Sequence, residues 1–188
     1  MKKRLTASLL LLALSTSVYA ATAKEFYPNG NIKFEYNYQD GKKNGITTEY
    51  TDTGKIIAKW NFVNDVLSGI STKYNENGVK KSEVNYVNGK QEGVTKKYNK
   101  YGSLHYELNF KNEKLNGISK EYENGVLKAA WNYVDGIKNG ESIIYYPNGN
   151  PHYRIHYQND KRNGSATEYL DNGTKKAEWV YKDGVLAN

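Results

Sequence analysis

The sequence contains no cysteine and only three prolines among its 188 residues. Without cysteine, the protein can form no disulfide, no thiol nucleophile and no thiolate metal site. Packing and backbone pairing alone must therefore hold the fold together. Tyrosine, by contrast, is abundant with 18 copies, which is typical of strands that carry aromatic faces.

Long apolar runs are also missing, apart from one at the start of the chain. There the basic segment MKKR is followed by the apolar segment LTASLLLLALS and by Val18-Tyr19-Ala20. This order is typical of a signal peptide, and the apolar run is too short to span a bilayer. We therefore predict a signal peptide at residues 1–20 rather than a retained membrane anchor. The mature chain is expected in the periplasm, at the cell surface or outside the cell, without stable membrane insertion.

The charge of the chain says little about a partner. The formal net charge is +7, from 27 basic and 20 acidic residues, and it falls to +4 without Lys2, Lys3 and Arg4. This excess is small and interspersed, whereas nucleic-acid-binding proteins concentrate basic residues on one face. The composition therefore predicts no nucleic-acid partner and only loose attraction to anionic surfaces.

What the sequence does contain is a repeat. Glycines recur at intervals of 24, 24, 24, 23 and 24 residues, and a tyrosine follows each of them five positions later. We call these residues the first glycines (Gly45, Gly69, Gly93, Gly117, Gly140, Gly164) and the column tyrosines (Tyr50, Tyr74, Tyr98, Tyr122, Tyr145, Tyr169). A second series, the turn glycines, comprises Gly30, Gly54, Gly78, Gly102, Gly125, Gly149 and Gly173. A fixed period of this kind predicts a repeat architecture.

The repeat divides the mature chain into seven units and leaves only Asn188 over. We predict a single repeat domain at residues 21–188, with no linker or second domain. Its units are 21–44, 45–68, 69–92, 93–116, 117–139, 140–163 and 164–187.

Each unit is predicted to form two antiparallel strands joined by a turn. In the unit 45–68, the segments GITTEY and KIIAKWNF both alternate with a period of two, and TDTG lies between them. Pairing Tyr50 with Ile56 leaves a three-residue loop that ends at Gly54, where glycine suits a left-handed conformation. The same register pairs Thr48 with Ala58 and Ile46 with Trp60. The chain as a whole should contain about fourteen such strands.

The irregular unit 117–139 tests this arrangement. It lacks one residue, and the loss lies in the turn segment YENGV. A two-residue Asn124-Gly125 turn of type I′ would keep the strand faces aligned.

One face of the predicted sheet is aromatic. The stated register places the column tyrosines on the same face as Trp60, Trp131 and Trp179. This face either buries itself as the sheet curls or stays open as a groove, and exposed aromatics with polar neighbours bind peptides or glycans. Two hairpins, FYPNGN and YYPNGN, add Tyr27 and Tyr146 on the opposite face. These aromatic residues are the candidate partner-binding residues, and the turn glycines are structural.

The segments GITTEYTDTGKIIAKWNFVND, GVTKKYNKYGSLHYELNFKNE and GESIIYYPNGNPHYRIHYQND resemble bacterial MORN-variant repeats. The resemblance extends over residues 21–187. It implies an all-β fold, an elongated antiparallel meander of about seven stacked hairpins with no helix after the signal peptide. It also implies a binding or scaffolding role without catalytic machinery. Some family members are described as antitoxin components of toxin–antitoxin systems.

Histidines offer no evident metal site. The chain has three, and His152 and His156 on one predicted strand lie about 13 Å apart, too far for one ion. Solvent-facing positions are the simpler interpretation for these histidines and for His105. No glycine segment leads into a helix as a phosphate-binding loop would. We therefore predict no metal and no cofactor.

Two polar columns allow alternative interpretations. Glu49, Glu121 and Glu168 share a column with lysines, which indicates cross-strand charge pairing, although a pair of catalytic acids is the other interpretation. The asparagines at 37, 61, 85, 109 and 132 form either a polar ligand rail or outward-facing polar edges.

Three functions follow from these features. The leading hypothesis is a non-enzymatic module for protein–protein interaction or scaffolding, because no sequence lies outside the repeat. The second is binding of a cell-envelope or host glycan, and an antitoxin-like protein that neutralises its partner is a variant of the first. The third, hydrolysis of an envelope polymer, would need an acid pair in a cleft. Open strand edges near residues 21–26 and 175–181 also predict end-to-end association.

Overall fold

A computed structural model describes residues 20–187. By their contacts, these residues fall into two compact bodies, each larger than a single repeat. We call them unit 1, which ends at Lys90, and unit 2, which begins at Gln91, and we refer to the 23- to 24-residue segments as repeats from here on. Of the predicted signal peptide, only Ala20 lies within the described residues. That the seven repeats form one domain stays a prediction, because compact contacts do not measure folding cooperativity. No helix capable of crossing a membrane occurs in the described part of the chain.

Unit 1 is an antiparallel meander in which each long strand pairs with the next one along the chain. Its strands are β1 (Ala20–Phe26), β2 (Ile32–Gln39), β3 (Lys42–Lys43), β4 (Gly45–Tyr50), β5 (Ile56–Val63), β6 (Val66–Leu67), β7 (Gly69–Tyr74) and β8 (Lys80–Val87).

Unit 2 repeats this plan. Its first strand, β9 (Lys90–Tyr98), starts at the last residue of unit 1. The others are β10 (Leu104–Lys111), β11 (Lys114–Leu115), β12 (Gly117–Glu123), β13 (Val126–Val134), β14 (Ile137–Lys138), β15 (Gly140–Tyr145), β16 (Pro151–Gln158), β17 (Lys161–Tyr169), β18 (Lys175–Lys182) and β19 (Val185–Leu186). Residues 20–187 contain no helix, so the predicted all-β meander is confirmed.

The turns inside the repeats have the predicted geometry. In the hairpin β4–β5, the amide of Thr51 donates to the carbonyl of Lys55 at 2.7 Å and the amide of Gly54 donates to that of Thr51 at 3.0 Å. Gly54 has a φ of +83°, as a left-handed loop residue requires. In the shortened hairpin β12–β13, Glu123 pairs with Val126 across Asn124-Gly125, whose φ angles are 52° and 81°. The two-residue turn is therefore confirmed.

The turns between repeats were not predicted, although the sequence signals them. Each consists of Asn or Asp followed by Gly, Asp or Glu, both with positive φ, as in Asp40-Gly41 at 52° and 76°. After the turn, a two-residue strand such as β3 pairs back onto the preceding long strand. Five of the nineteen strands within residues 20–187 are such short strands, and the other fourteen are the predicted ones.

A β-bulge next to each column tyrosine changes the predicted register. In β4–β5, Tyr50 pairs with Ile56 as predicted, but Glu49 pairs with Ala58 and Thr47 pairs with Trp60. The predicted pairs of Thr48 with Ala58 and Ile46 with Trp60 are therefore wrong. An extra residue in one strand of a pair, here Ile57, moves every following side chain to the other face. Equivalent shifts occur at the other five column tyrosines.

The bulge separates the tyrosine and tryptophan that were predicted to share a face. The indole of Trp60 donates to Glu49 at 2.9 Å. The hydroxyl of Tyr50 donates to Glu35 at 3.2 Å, and Glu35 pairs with Thr48 on the opposite face. We call the face with Thr47, Ala58 and Trp60 the inner face, and the face with Thr48 and Glu35 the outer face. The same two names apply to the equivalent positions of unit 2.

Small side chains, not aromatics, form the buried layer. In six of the seven repeats, one residue on the inner face is 1–3% exposed: Ala23, Thr47, Ser71, Thr95, Ser119 and Ser142. Ala58 and Ala129 are equally buried beside them. The tryptophans and column tyrosines are only half-buried. Because the described strands of each unit form a single layer, large rings shield the small residues beneath them and remain partly open to solvent.

Candidate protein-binding surface

The inner face of unit 1 carries aromatic rings with lysine side chains laid over them. The ammonium of Lys43 lies 4.6 Å from the ring centre of Tyr36 and 5.5 Å from that of Phe62. Lys73 lies 5.0 Å from Trp60. Such cation–π contacts contribute about 0.5–1 kcal/mol each at exposed sites. They leave the cation available to a partner while fixing its position.

Unit 2 repeats the arrangement. Lys138 lies 3.9 Å from the ring centre of Trp131 and 5.4 Å from that of Tyr157, and the guanidinium of Arg162 lies 5.3 Å from Tyr181. The hydroxyl groups of Tyr157 and Tyr181 raise the pKa of Arg162 further, so it stays charged. These cations were not among the residues predicted from the sequence. Their signal is a basic residue two positions before a first glycine, as in Lys43-Asn44-Gly45, Lys138-Asn139-Gly140 and Arg162-Asn163-Gly164.

The inner face of unit 2 also contains a concavity of about 290 Å³. Its floor includes Ile155 and Ala166, each 5% exposed. Its remaining lining comprises Ile144, Tyr153, Arg162, Trp179 and Tyr181. An apolar floor bordered by aromatic rings and one guanidinium can take an apolar side chain that has an acidic or polar neighbour.

Glutamates on the inner face are paired. Glu25 accepts a hydrogen bond from the hydroxyl of Tyr36 at 2.9 Å and lies 3.3 Å from the ammonium of Lys33. The hydrogen bond from Tyr36 is the largest cause of the lowered pKa of Glu25. Burial and the same hydrogen bond raise the pKa of Tyr36 well above its ordinary range.

Glu168 is the most buried of these carboxylates, at 8% exposure. Lys176 donates to it at 2.8 Å, His152 lies 3.7 Å away, and the hydrogen bond from Lys176 is the main cause of its lowered pKa. The other two candidate acids have different contacts. Glu49 accepts a hydrogen bond from the indole of Trp60, and Glu121 lies 3.4 Å from the ammonium of Lys128. The contacts of Glu121 and Glu168 match the predicted cross-strand charge pairing, whereas Glu49 is bonded to an uncharged indole.

The histidines take separate structural positions. Nδ1 of His105 lies 2.8 Å from the carbonyl oxygen of Tyr122. Nδ1 of His156 lies 3.3 Å from the hydroxyl oxygen of Ser165. His152 stacks on Tyr146 with ring centres 4.2 Å apart. Within residues 20–187, no group of three or more acidic or histidine side chains is placed to hold a metal ion.

Tyr27 and Tyr146, the two extra aromatics, hold neighbouring hairpins together. The hydroxyl of Tyr27 donates to the carbonyl of Tyr50 at 2.8 Å, and that of Tyr146 donates to the carbonyl of Tyr169 at 2.9 Å. Two asparagines of each motif donate to one further carbonyl: Asn29 and Asn31 to Asp52, Asn148 and Asn150 to Asp171. We call this three-bond contact the turn clamp. Part of the Tyr146 ring also lines a hollow of about 380 Å³ beside the short Asn124-Gly125 turn.

The asparagine column faces the first glycines. A methyl group on Gly69 would lie 2.6 Å from Nδ2 of Asn61, and one on Gly140 would lie 2.7 Å from Nδ2 of Asn132. Asn37 and Asn109 donate to the carbonyls of Ile46 and Ile118 in the next repeat. The side chains of Asn37, Asn61, Asn109 and Asn132 therefore lie where one repeat meets the next.

The repeat can be compared with known families. Four segments of the chain match the MORN repeat variant. They are residues 21–40, 43–64, 67–88 and 138–159, and together they cover just under half of the chain. No curated protein matches the sequence. The resemblance predicted above is confirmed for these segments, whereas a bacterial origin, export and an antitoxin role stay predictions.

The match to the MORN repeat variant and the open meander both fit a protein-interaction module. MORN repeats are generally non-catalytic, and in an open meander they fit a module for protein interaction. Three matched segments lie in unit 1 and one lies in unit 2. The segments 43–64 and 138–159 include Lys43 and Lys138, so these two cations over aromatic rings lie within the matched repeats, whereas Arg162 lies outside them.

Proposed function

We propose that the chain is an exported, non-enzymatic repeat protein that binds a protein partner through the inner faces of its two units. One observation carries this proposal: half-exposed aromatic rings line each inner face, with cations over them and no second layer of described residues covering them. The leader-like segment at residues 1–20 supports export.

The aromatic rings of this face and the guanidinium of Arg162 suit a protein partner. Tryptophan, tyrosine and arginine are the residue types that most often dominate binding energy at protein interfaces. The aromatic rings already make contacts within the sheet, so their side chains lose little conformational freedom on binding. Of the cations, Lys73 and Arg162 are exposed and Lys43 and Lys138 are half-buried. Together they favour a partner whose contact surface carries acidic side chains between apolar ones.

Site-specific photo-crosslinking in cells tests the proposal. A photoreactive residue replaces Trp60 or Trp131 on the inner face, and a matched pair replaces Ile46 or Ile118, which are 39% and 53% exposed on the outer face. Inner-face positions should give one discrete protein adduct that the outer-face positions do not give. Purified partner should then bind saturably, and Trp60→Ala with Trp131→Ala should weaken binding at least tenfold. Equal labelling from both faces would contradict the proposal.

Glycan binding is the second candidate, favoured by the aromatic concavity around Trp179 and Arg162. Rings and a planar guanidinium can stack on sugar faces. Sedimentation with purified cell-wall polymer measures this activity. Binding that is lost in Trp179→Ala but kept in Trp60→Ala would assign the concavity to a glycan and the remaining inner face to another role.

A further inference from the structure

Consecutive repeats are joined in the same way throughout each unit. At each of the five junctions within the two units, the second long strand of one repeat pairs with the first long strand of the next at the same two positions, and β16–β17 continues beyond them. In unit 1 these pairs are Phe34–Glu49 with Glu35–Thr48, and Ala58–Lys73 with Lys59–Thr72. In unit 2 they are Tyr106–Glu121 with Glu107–Lys120, Ala129–Ile144 with Ala130–Ile143, and Tyr153–Glu168 with Arg154–Thr167. We call this two-pair contact the repeat junction.

The repeat junction can include polar side-chain contacts on both faces. On the outer face, Lys120 lies 3.3 Å from Glu107, its partner in the ladder. On the inner face, Nε2 of His152 lies 3.7 Å from Glu168 of the following repeat. Charge at these positions therefore contributes to how one repeat recognises the next.

Two strands, β18 and β1, each have one edge that no neighbouring repeat covers within residues 20–187. Within residues 20–187, β18 pairs with β17 and β19. The β19 segment pairs with Tyr181 and Lys182, and the amide of Ala187 donates to the carbonyl of Val180 at 2.8 Å. No described residue pairs with the outer edge of β18 at Ala177 and Glu178. In the same part of the chain, β1 pairs only with β2, so its edge at Lys24 and Glu25 is unpaired as well.

We propose that β18 of one copy binds β1 of a second copy of this chain through a repeat junction. In the shared register, Ala177 lies opposite Glu25 of the second copy and Glu178 lies opposite Lys24 of the second copy. The outer-face pair of Glu178 and Lys24 then has the same charges as Glu107 and Lys120. On the inner face, Lys176 takes the place of His152 and meets Glu25 of the second copy.

Charge complementarity selects a second copy as the occupant. Lys24 already lies 3.4 Å from Glu35 on its own sheet, so a bound Glu178 would extend an alternating row of charges. A strand edge that carries the opposite order of charges would place like charges together, which is destabilising. Because the two surfaces differ, the contact is heterologous, and successive copies add head to tail. It uses strand edges and is independent of the partner proposed for the inner face.

Charge reversal tests the register. Sedimentation velocity on the purified protein at low salt should show association that increases with concentration and weakens with added salt. Glu178→Lys alone and Lys24→Glu alone should each weaken association about three- to tenfold. Combining both changes in one chain should restore it. An equimolar mixture of the two single variants should also associate, because each open edge then meets an edge of opposite charge.

Three controls keep the result specific. Lys182→Glu changes a charge on β18 that pairs with β19, and it should leave association unchanged. Trp60→Ala with Trp131→Ala should also leave it unchanged, so failure of the inner-face proposal would not affect this one. Circular dichroism melting verifies that each variant is folded. A strict monomer at several hundred micromolar, or association that persists in both single reversals, would overturn the proposal.

Discussion

The hydroxyl of Tyr146 donates a hydrogen bond to the backbone carbonyl of Tyr169, in the hairpin that follows its own, at 2.9 Å. Tyr27 and Tyr50 make the same contact at 2.8 Å. Both bonds run from one turn to the next across the sheet. The two motifs with a second aromatic therefore stabilise packing between hairpins, a role that the sequence analysis did not assign to them.

Removing the Tyr146 hydroxyl should destabilise unit 2. Tyr146→Phe keeps the ring over His152 but loses one hydrogen bond, at a cost of about 0.5–1.5 kcal/mol in the free energy of unfolding. Urea denaturation measures this cost. Tyr101→Phe is the matched control, because Tyr101 is 77% exposed and should change stability by less than about 0.5 kcal/mol. Equal effects of the two changes would contradict the turn clamp.

Two glycines with similar backbone angles should respond differently to alanine. Gly140 and Gly149 have φ angles of 95° and 88°, so each substitution incurs the left-handed penalty of about 1–2 kcal/mol. Only at Gly140 does the added methyl meet another side chain, Nδ2 of Asn132 at 2.7 Å, so Gly140→Ala should cost more. Thermal unfolding of both variants provides the comparison. Adding Asn132→Ala should remove most of the difference, and no such relief would contradict the proposed junction contact.

Adjacent alanines in β13 test which face is buried. Ala129 is 2% exposed on the inner face, whereas Ala130 pairs with Lys120 on the outer face. Ala129→Leu should overpack the small-residue layer and cost about 1–3 kcal/mol in unfolding free energy. Ala130→Leu should cost far less. The opposite ranking in chemical denaturation would refute the register set by the bulge.

Acid should weaken the ion pair at Glu168. Its carboxyl pKa lies below the ordinary value of 4.5, because Lys176 donates to the charged form. A lowered native pKa stabilises the fold above the unfolded pKa, and this contribution is lost as pH falls through the native value. The unfolding free energy of the wild type should therefore decrease more below pH 4.5 than that of Glu168→Gln. Parallel pH profiles would contradict this assignment.

The sequence predicted the repeat but not every residue's face. The alternation in GITTEY and KIIAKWNF correctly indicated two strands, and the turn glycines correctly indicated the loop at Gly54. Alternation alone assumes an unbroken ladder, so it placed Tyr50 and Trp60 together. The bulge depends on how the backbone closes and twists each hairpin, and no single residue type in the sequence identifies its position.

The candidate surface was predicted in the same partial way. The tryptophans of the inner face were selected from sequence, whereas Lys43 and Lys138 were not, because they lie on short strands after turns between repeats that went unrecognised. Those turns have a visible signal, Asn or Asp with Gly, Asp or Glu, between every two repeats. That signal predicts the turns and the short strands after them, but not the aromatic rings that the lysines contact.

By itself, the sequence determined the period, the all-β class and the hairpin turns, because spacing and left-handed glycine positions are local properties. Only the tertiary structure decided which side chains share a face, which residues are buried and which cations lie over aromatic rings. These features depend on pairing between strands, where a shift of one residue exchanges the two faces of the sheet. The small residues Thr47 and Ser119 are buried for that reason, and the larger aromatics remain partly open.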